Sequence, residues 1–376
     1  MSDDALGGWG SVARRAELTA RAQTYARGAR TESTWAAYER QWNRFEAWCA
    51  GAGETALPAE PLTVARFLAD LAPAWRAAVP GDAPETVVSG QVCEREGLRP
   101  GALAGYVAAI SVAHRTAGQP NPTVSEAVRR TMAGIRRHPG VTPTTRRAAA
   151  RRDDIATILA TLTPEDSLTD ARDAALLLIG WKAALRAGDL VGMRIEDQRI
   201  TDDGLAVHLR RSKTDQTGTG TTIGITRSPA SPRPTSPDEI GAGAARGVCL
   251  DAVAAWAHWR SLLGSHGIIT GPAWRGIDRY DRRPRATGLT RNSIRLIIVR
   301  RAQAAGLHTN PDTEPESRPG WGAHSLRRGF ATEAIARGVP ERDVQRHGRW
   351  KSRATMDTYI DEARTFDTTN PTRWLD

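Results

Sequence analysis

Residues 136–152 read RRHPGVTPTTRRAAARR, with six arginines, two prolines and little apolar content. A single hydrophobic core cannot be continued through such a stretch. Each proline removes a backbone donor, and each guanidinium must stay hydrated or meet an anion. The chain therefore has to fold as two bodies joined by a basic linker, and its 376 residues suffice for a substantial core in each. We place an N-terminal arm at 1–30, a first domain at 31–138, the linker at 139–152 and a second domain with a C-terminal tail at 153–376.

Upstream of the linker, apolar residues recur at helical spacing. In TESTWAAYERQWNRFEAWC, Trp35, Tyr38, Trp42, Phe45 and Cys49 fall every three or four residues behind a cap at Ser33 or Thr34, and glycines at 51 and 53 stop the helix. Further helices follow Pro61 and span 101–118 and 123–138. The last has an acid near its start and arginines near its end, as the helix dipole favours. Prolines and glycines break the pattern between Ala72 and Gly97, which reads as a loop. The first 138 residues are thus expected to be all-helical.

Downstream, DARDAALLLIGWKAAL (170–185) is a strongly apolar helix leading into Arg186. The period then changes. RIEDQRI and LAVHLRRS alternate like strands, TDQTGTG is a turn-rich tip and TTIGIT returns, which predicts a small sheet with a hairpin. Residues 228–247 are rich in Pro, Ser and Gly and read as a surface loop. Helices resume at 250–263, 290–305, 324–337 and 352–363. The fold class is mainly α with a small β-sheet.

Charge narrows the partner. With 52 Lys and Arg against 42 Asp and Glu the formal net charge is +10. A polyanion follows, nucleic acid before membrane phosphates, since no basic amphipathic anchor stands in the sequence. The absence of a bilayer-length apolar run and of a basic-then-apolar leader predicts a soluble, cytoplasmic protein. Cys49, Cys93 and Cys249 are odd in number and widely spaced, so neither a disulfide framework nor a zinc site is expected. Only three lysines occur, Lys182, Lys213 and Lys351.

In the last third, His324 and Arg327 stand three apart at a helix start and share a face. Alone that spacing is weak. It gains force from its companions in order: Arg186 in AALRAGDL, Lys213 in RRSKTDQ, Trp350 in HGRWKS and Tyr359 in MDTYI. Trp350 lies 23 residues after Arg327, and Tyr359 nine after Trp350. This constellation resembles the tyrosine recombinase, or phage integrase, family. The likeness extends to the first domain, where the tryptophan-bearing helix and the H-R-x-x-G-x-P turn at 114–120 are similar to those of a phage member. Two departures stand out. Asp189 occupies a place where relatives usually carry glutamate, and the 228–247 loop is longer than the family's connection.

The resemblance implies an N-terminal helical core-binding domain, a C-terminal catalytic domain, and cleavage and rejoining of DNA through a 3′-phosphotyrosyl link. Tyr359 would be the nucleophile, Arg186 and Arg327 the ligands of the nonbridging oxygens, His324 a proton acceptor and Lys213 the donor to the leaving 5′-oxygen. Trp350 would offer its indole N–H to the phosphate, and Asp189 would support Arg186. The chemistry is consistent: a phosphodiester gathers charge in its transition state, and forked guanidiniums neutralise it without a metal or other cofactor. A phenol, with an ordinary pKa near 10, needs cations and a base nearby to attack at neutral pH.

For DNA contact, Thr290, Arg291, Asn292 and Arg295 open a helix that could enter a major groove, with Arg300 and Arg301 towards phosphates. Arg275 matches a backbone-contacting region of the family, and Arg40, Arg44, Arg129, Arg130, Arg136 and Arg137 are candidates in the first domain. The expected partner is double-stranded DNA with inverted-repeat sites, bound by protomers that assemble as a tetramer, with an accessory directionality factor as a further partner. A type IB topoisomerase-like activity and a catalytically inactive DNA-binding protein are the rival readings.

Overall fold

The structure is a computed structural model, and it describes residues 12–77, 87–88, 91–137, 147–210, 220–227, 250–307 and 320–364. The chain divides into two compact units, Met1–Thr144 and Thr145–Asp376.

The first unit holds helices α1 (Val12–Gly28), α2 (Glu32–Ala52), α3 (Pro61–Leu71), α4 (Pro100–Thr116) and α5 (Glu126–Arg137). Helix α2 begins at Thr31, upstream of the expected Ser33 or Thr34, because the Thr31 hydroxyl accepts the Thr34 N–H at 3.3 Å. It ends where Gly53 takes a φ of 69°, a left-handed conformation that glycine adopts at no steric cost. Phe45, Phe67 and Tyr106 meet edge-on at the centre, with ring centroids 5.0 and 5.5 Å apart. Leu68, Leu103, Ile110, Val128 and Met132 close around them. Each such side chain contributes roughly 1.5–3 kcal/mol of burial.

Residues 12–28 of the expected arm are helical, with none of them buried. One expectation for this unit is corrected. The segment 72–97 contains a three-stranded antiparallel sheet, β1 (Ala74–Ala77), β2 (Val87–Val88) and β3 (Gln91–Arg95), in the order β1-β3-β2. Val87 and Val88 pair with Val92 and Gln91. Paired valines flanking a Ser-Gly step are a hairpin signal, which the surrounding prolines outweighed in the sequence.

In the second unit, α6 (Arg152–Leu159), α7 (Leu168–Lys182) and α8 (Ala187–Gly192) precede the antiparallel sheet β4 (Gln198–Ile200), β5 (Gly204–Leu209) and β6 (Thr221–Thr226). Next come α9 (Ala252–Ser265), the ribbon β7 (Arg275–Ile277) and β8 (Pro284–Gly288), then α10 (Arg291–Ala304), α11 (Ala323–Ala336), α12 (Glu341–Gly348) and α13 (Arg353–Arg364). Helix α7 is the spine: every residue from Ala171 to Trp181 is buried. Trp256 and Trp259 of α9, with Trp274, pack into the same core as its leucines. Among the described residues no helix is long and apolar enough to cross a membrane.

Helix α11, which carries His324 and Arg327, is held by a close crossing at Gly329. A Cβ there would meet the Ala150 carbonyl oxygen at 1.8 Å, so only glycine lets the helix lie against the strand-like segment 147–150. Arg328 ties the same contact. It donates to the Arg147 carbonyl at 2.5 Å and pairs with Glu362 of α13.

Candidate active site

Local backbone geometry aims Arg186. Helix α7 ends in a Schellman turn, with Leu185 N–H bonded to Gly180 O at 2.9 Å and Ala184 N–H to Trp181 O at 3.0 Å. The turn forces Ala184 to a φ of 49°, a left-handed conformation that costs an alanine roughly 1–2 kcal/mol. Arg186 follows as the residue that caps α8. Its backbone N–H donates to the Asp189 carboxylate at 3.1 Å, and its guanidinium lies 4.0 Å from the same oxygen. Asp189 is 3 % exposed and stands beside Arg186.

Helix α11 presents His324 and Arg327 one turn apart, and α13 presents Met356, Tyr359 and Ile360 as its buried face. His324 Nε2 lies 3.2 Å from the Tyr359 hydroxyl. In its neutral form, with the proton on Nδ1, that nitrogen accepts the phenol's hydrogen. Arg327 is 1 % exposed and donates to the Ala184 carbonyl at 2.5 Å. Its guanidinium carbon lies 3.9 Å from the centroid of the Trp350 ring, and Trp350 meets Tyr359 edge-on at 5.5 Å. Trp350 is thus a platform between arginine and tyrosine, a role beyond the N–H donor expected of it. Gly348 makes room for it: a Cβ there would strike the indole at 1.6 Å.

Five of the six residues expected to do chemistry, Arg186, His324, Arg327, Trp350 and Tyr359, therefore converge from three segments of the chain. Lys213 lies outside the described residues, between β5 and β6 in sequence. The 228–247 loop also lies outside them.

The electrostatics are those of an anion site. Burial, then the charges of Arg327, Arg186 and Arg328, push His324 below the usual histidine range and keep it neutral. Burial, then Arg186 and Arg349, pull the Arg327 guanidinium down to about 9, with Tyr359 and Asp189 opposing, so it stays charged at neutral pH. Among the described residues, Arg186 Nη1 and Arg327 Nη2 are buried without a hydrogen-bond partner. Such donors are costly to leave unpaired and favour an incoming acceptor.

One residue of the cluster was missed in the sequence. Arg349 has a φ of 58°, is 10 % exposed, and donates through Nη2 to Asp189 at 3.3 Å. As one arginine among many it carried no local signal beyond its place between Gly348 and Trp350. His347 is structural: it bonds the Lys182 carbonyl at 2.8 Å and stacks on Phe330 at 4.8 Å.

The residues expected to touch DNA divide. Arg40, Arg44, Arg129, Arg130, Arg136 and Arg137 are exposed. Arg44 bonds the Tyr106 hydroxyl at 3.1 Å, and Arg129 pairs with Glu126. Thr290 caps α10 by accepting the Ser293 N–H at 3.1 Å, and Arg291, Asn292 and Arg295 are exposed on its first turns. Arg275 is corrected. Its side chain is buried and donates to the carbonyls of Thr270, Pro272, Arg285 and Ala286, so it stitches the β7–β8 ribbon instead of facing phosphate. Arg301 is corrected likewise, because Asp170 and Asp173 hold it at 2.6 and 2.7 Å.

No family model matches the chain. An integrase/recombinase xerD homolog of Selenomonas ruminantium is 30% identical over 352 residues, covering 93% of this chain and 87% of that protein. The recombinase Cre of Escherichia phage P1 is 26% identical over 191 residues, 50% of this chain and 49% of that protein. Among solved structures, a lambda integrase (75–356) dimer bound to a COC′ core site covers 95% of this chain and 98% of its own, at 16% identity and a TM-score of 0.47.

Proposed function

The chain belongs to the tyrosine recombinase (integrase/recombinase) family, and from that premise we propose that it cleaves and rejoins DNA at a specific site with Tyr359 as nucleophile. The observation that carries this reading is the Tyr359 hydroxyl 3.2 Å from His324 Nε2 and beside the Trp350 ring on which Arg327 lies. In the proposed step the phenol oxygen bonds to phosphorus while the bond from phosphorus to the 5′-oxygen breaks. The phenol's proton passes to His324 Nε2, and Lys213 supplies a proton to the leaving oxygen, a role that rests on the family resemblance alone. Arg186 and Arg327 meet the charge that develops on the nonbridging oxygens. The phosphotyrosyl bond conserves the energy for rejoining, so the cycle consumes no external energy source.

The proposed partner is double-stranded DNA carrying inverted repeats, with protomers assembling as a tetramer for strand exchange. An accessory protein that sets direction belongs to the same proposal. The Selenomonas relative and Cre are named recombinases, which favours recombination over a topoisomerase-like activity.

The test is a duplex carrying the site that the protein protects in footprinting, nicked so that the cleaved fragment diffuses away. Wild type should accumulate a covalent protein–DNA adduct, and Tyr359→Phe, which keeps the ring against Trp350, should form none while still binding. A wild-type protein that protects the site but yields no adduct is an inactive binder. An adduct that persists in Tyr359→Phe overturns the assignment of the nucleophile.

A further inference from the structure

Three guanidiniums, those of Arg186, Arg327 and Arg349, surround one buried carboxylate, Asp189. Arg349 is the least expected of them. It closes α12 in a left-handed conformation, with φ 58° and ψ 45°, where glycine or asparagine costs least. Its backbone N–H bonds Arg346 O at 3.1 Å and Trp350 N–H bonds Gln345 O at 3.1 Å, so the turn itself needs only the backbone. A strained backbone that holds a long charged side chain nine-tenths out of water calls for a reason beyond the turn.

The contacts of that side chain supply one. Arg349 Nη2 reaches two acceptors, Asp189 Oδ2 at 3.3 Å and the Ala184 carbonyl at 3.5 Å. The first is the oxygen that receives the Arg186 N–H, and the second is the oxygen that receives Arg327 Nη1. Arg349 therefore touches, through shared acceptors, the supports of both arginines that face the phosphate in the proposed reaction. Among the described residues its own Nε and Nη1 are buried and without a hydrogen-bond partner, as are Arg186 Nη1 and Arg327 Nη2. One carboxylate among three cations leaves the cluster short of negative charge.

We propose that Arg349 is a positioning residue that locks the Arg186 and Arg327 guanidiniums around a scissile phosphate by bridging Asp189 and the Ala184 carbonyl. This rests on the recombinase reading above. The role is realised in the reacting complex, where misplacement of a guanidinium by about 1 Å costs on the order of 100-fold in rate.

The test uses the full chain and the nicked duplex bearing the footprinted site. Adduct formation is measured in single turnover against protein concentration for wild type, Arg349→Gly, Arg349→Asn and Arg349→Lys, with Tm read for each. Glycine and asparagine both suit the left-handed turn but cannot bridge. Lysine keeps the charge and can engage one of the two acceptors. The saturating rate of Arg349→Gly should fall about 100-fold, with half-saturation close to wild type, and Arg349→Lys should recover part of the loss. Each rate is read well below that variant's Tm, and Arg349→Asn is the second neutral variant. A saturating rate equal to wild type in the folded neutral variant overturns the proposal, as does a loss confined to half-saturation, which would make Arg349 a binding contact only. A wild-type protein that gives no adduct overturns the recombinase reading itself, and this inference with it.

Discussion

Replacing Asp189 by asparagine isolates the charge of the site's only buried carboxylate among the described residues. Both hydrogen bonds to Asp189, from the Arg186 N–H at 3.1 Å and Arg349 Nη2 at 3.3 Å, end on the same oxygen. An asparagine that places its carbonyl oxygen there keeps both bonds and the cap of α8. What disappears is the negative charge between Arg349, 10 % exposed, and Arg186, 23 % exposed. At these separations each attraction is of order 4 kcal/mol before desolvation is counted. Removing the carboxylate also removes its own desolvation cost, and the more exposed Arg186 is partly screened. The Arg349 pair therefore dominates. Leaving a buried cation without its partner typically costs about 3–5 kcal/mol.

Thermal unfolding reads the effect. A body the size of the second unit shifts by roughly 2–4 °C per kcal/mol, so Asp189→Asn should lower its Tm by about 6–20 °C. The transition of the first unit should stay in place if the two melt separately, which domain-resolved calorimetry will show. The loss should survive high salt, because buried pairs are screened little. A shift within about 2 °C of wild type would mean a net effect under ~1 kcal/mol. It would refute the premise that Asp189 holds together mutually repelling guanidiniums.

Two further outcomes follow from the geometry. Because burial and the charges of Arg327, Arg186 and Arg328 depress His324, and the Tyr359 hydroxyl is its hydrogen-bond partner, the acid limb of the cleavage rate should have its midpoint below 6.5. The sign for stability is the same: between the lowered folded value and 6.5 the unfolded chain binds more protons, so stability rises with pH through that window and is lost as pH falls through it. NMR titration of the His324 ring checks both, and a midpoint at or above 6.5 contradicts them. Exposed Arg291 and Arg295 should, when changed singly to alanine, reduce the salt slope of DNA binding by about 1 if they meet phosphate, or relax sequence preference if they meet a base. Arg301→Met should leave that slope unchanged and lower Tm instead, since its guanidinium is held by Asp170 and Asp173.

What the sequence made legible was chemistry whose residue types have few substitutes. Arg186, His324, Arg327, Trp350 and Tyr359 could be picked out by order and interval, and the structure gathers them. The apolar run at 170–185 read as a buried helix because nothing polar interrupts it. The failures share a cause, which is that burial is decided by partners distant in sequence. Arg301 looked like a phosphate ligand because Asp173 lies 128 residues away, and Arg275 because its acceptors are backbone carbonyls, which leave no trace in side-chain types. Arg349 was invisible for a related reason: its meaning depends on where α12 stops. The strands within 72–97 were hidden by prolines, although Val87-Val88-Ser89-Gly90 carried the hairpin signal.

The same dependence explains why the site is assembled where it is. Three segments must bring like charges together, and repulsion alone would scatter them. Arg186 is fixed by a Schellman turn at the end of α7, the most deeply buried helix of the unit. Arg327 is fixed by that turn's own carbonyl, Ala184 O, and by a helix pressed against residues 147–150 at Gly329. Arg349 is fixed by a backbone turn that pins its Cα whatever its side chain prefers. Hydrophobic packing and backbone hydrogen bonds thus set where each arginine leaves the backbone, and Asp189 with the Ala184 carbonyl holds the guanidiniums there. Tyr359 is aimed in the same way, through Met356 and Ile360 on the buried face of α13. Packing and catalysis are not competing explanations for that tyrosine: the apolar contacts set the direction in which its hydroxyl meets His324.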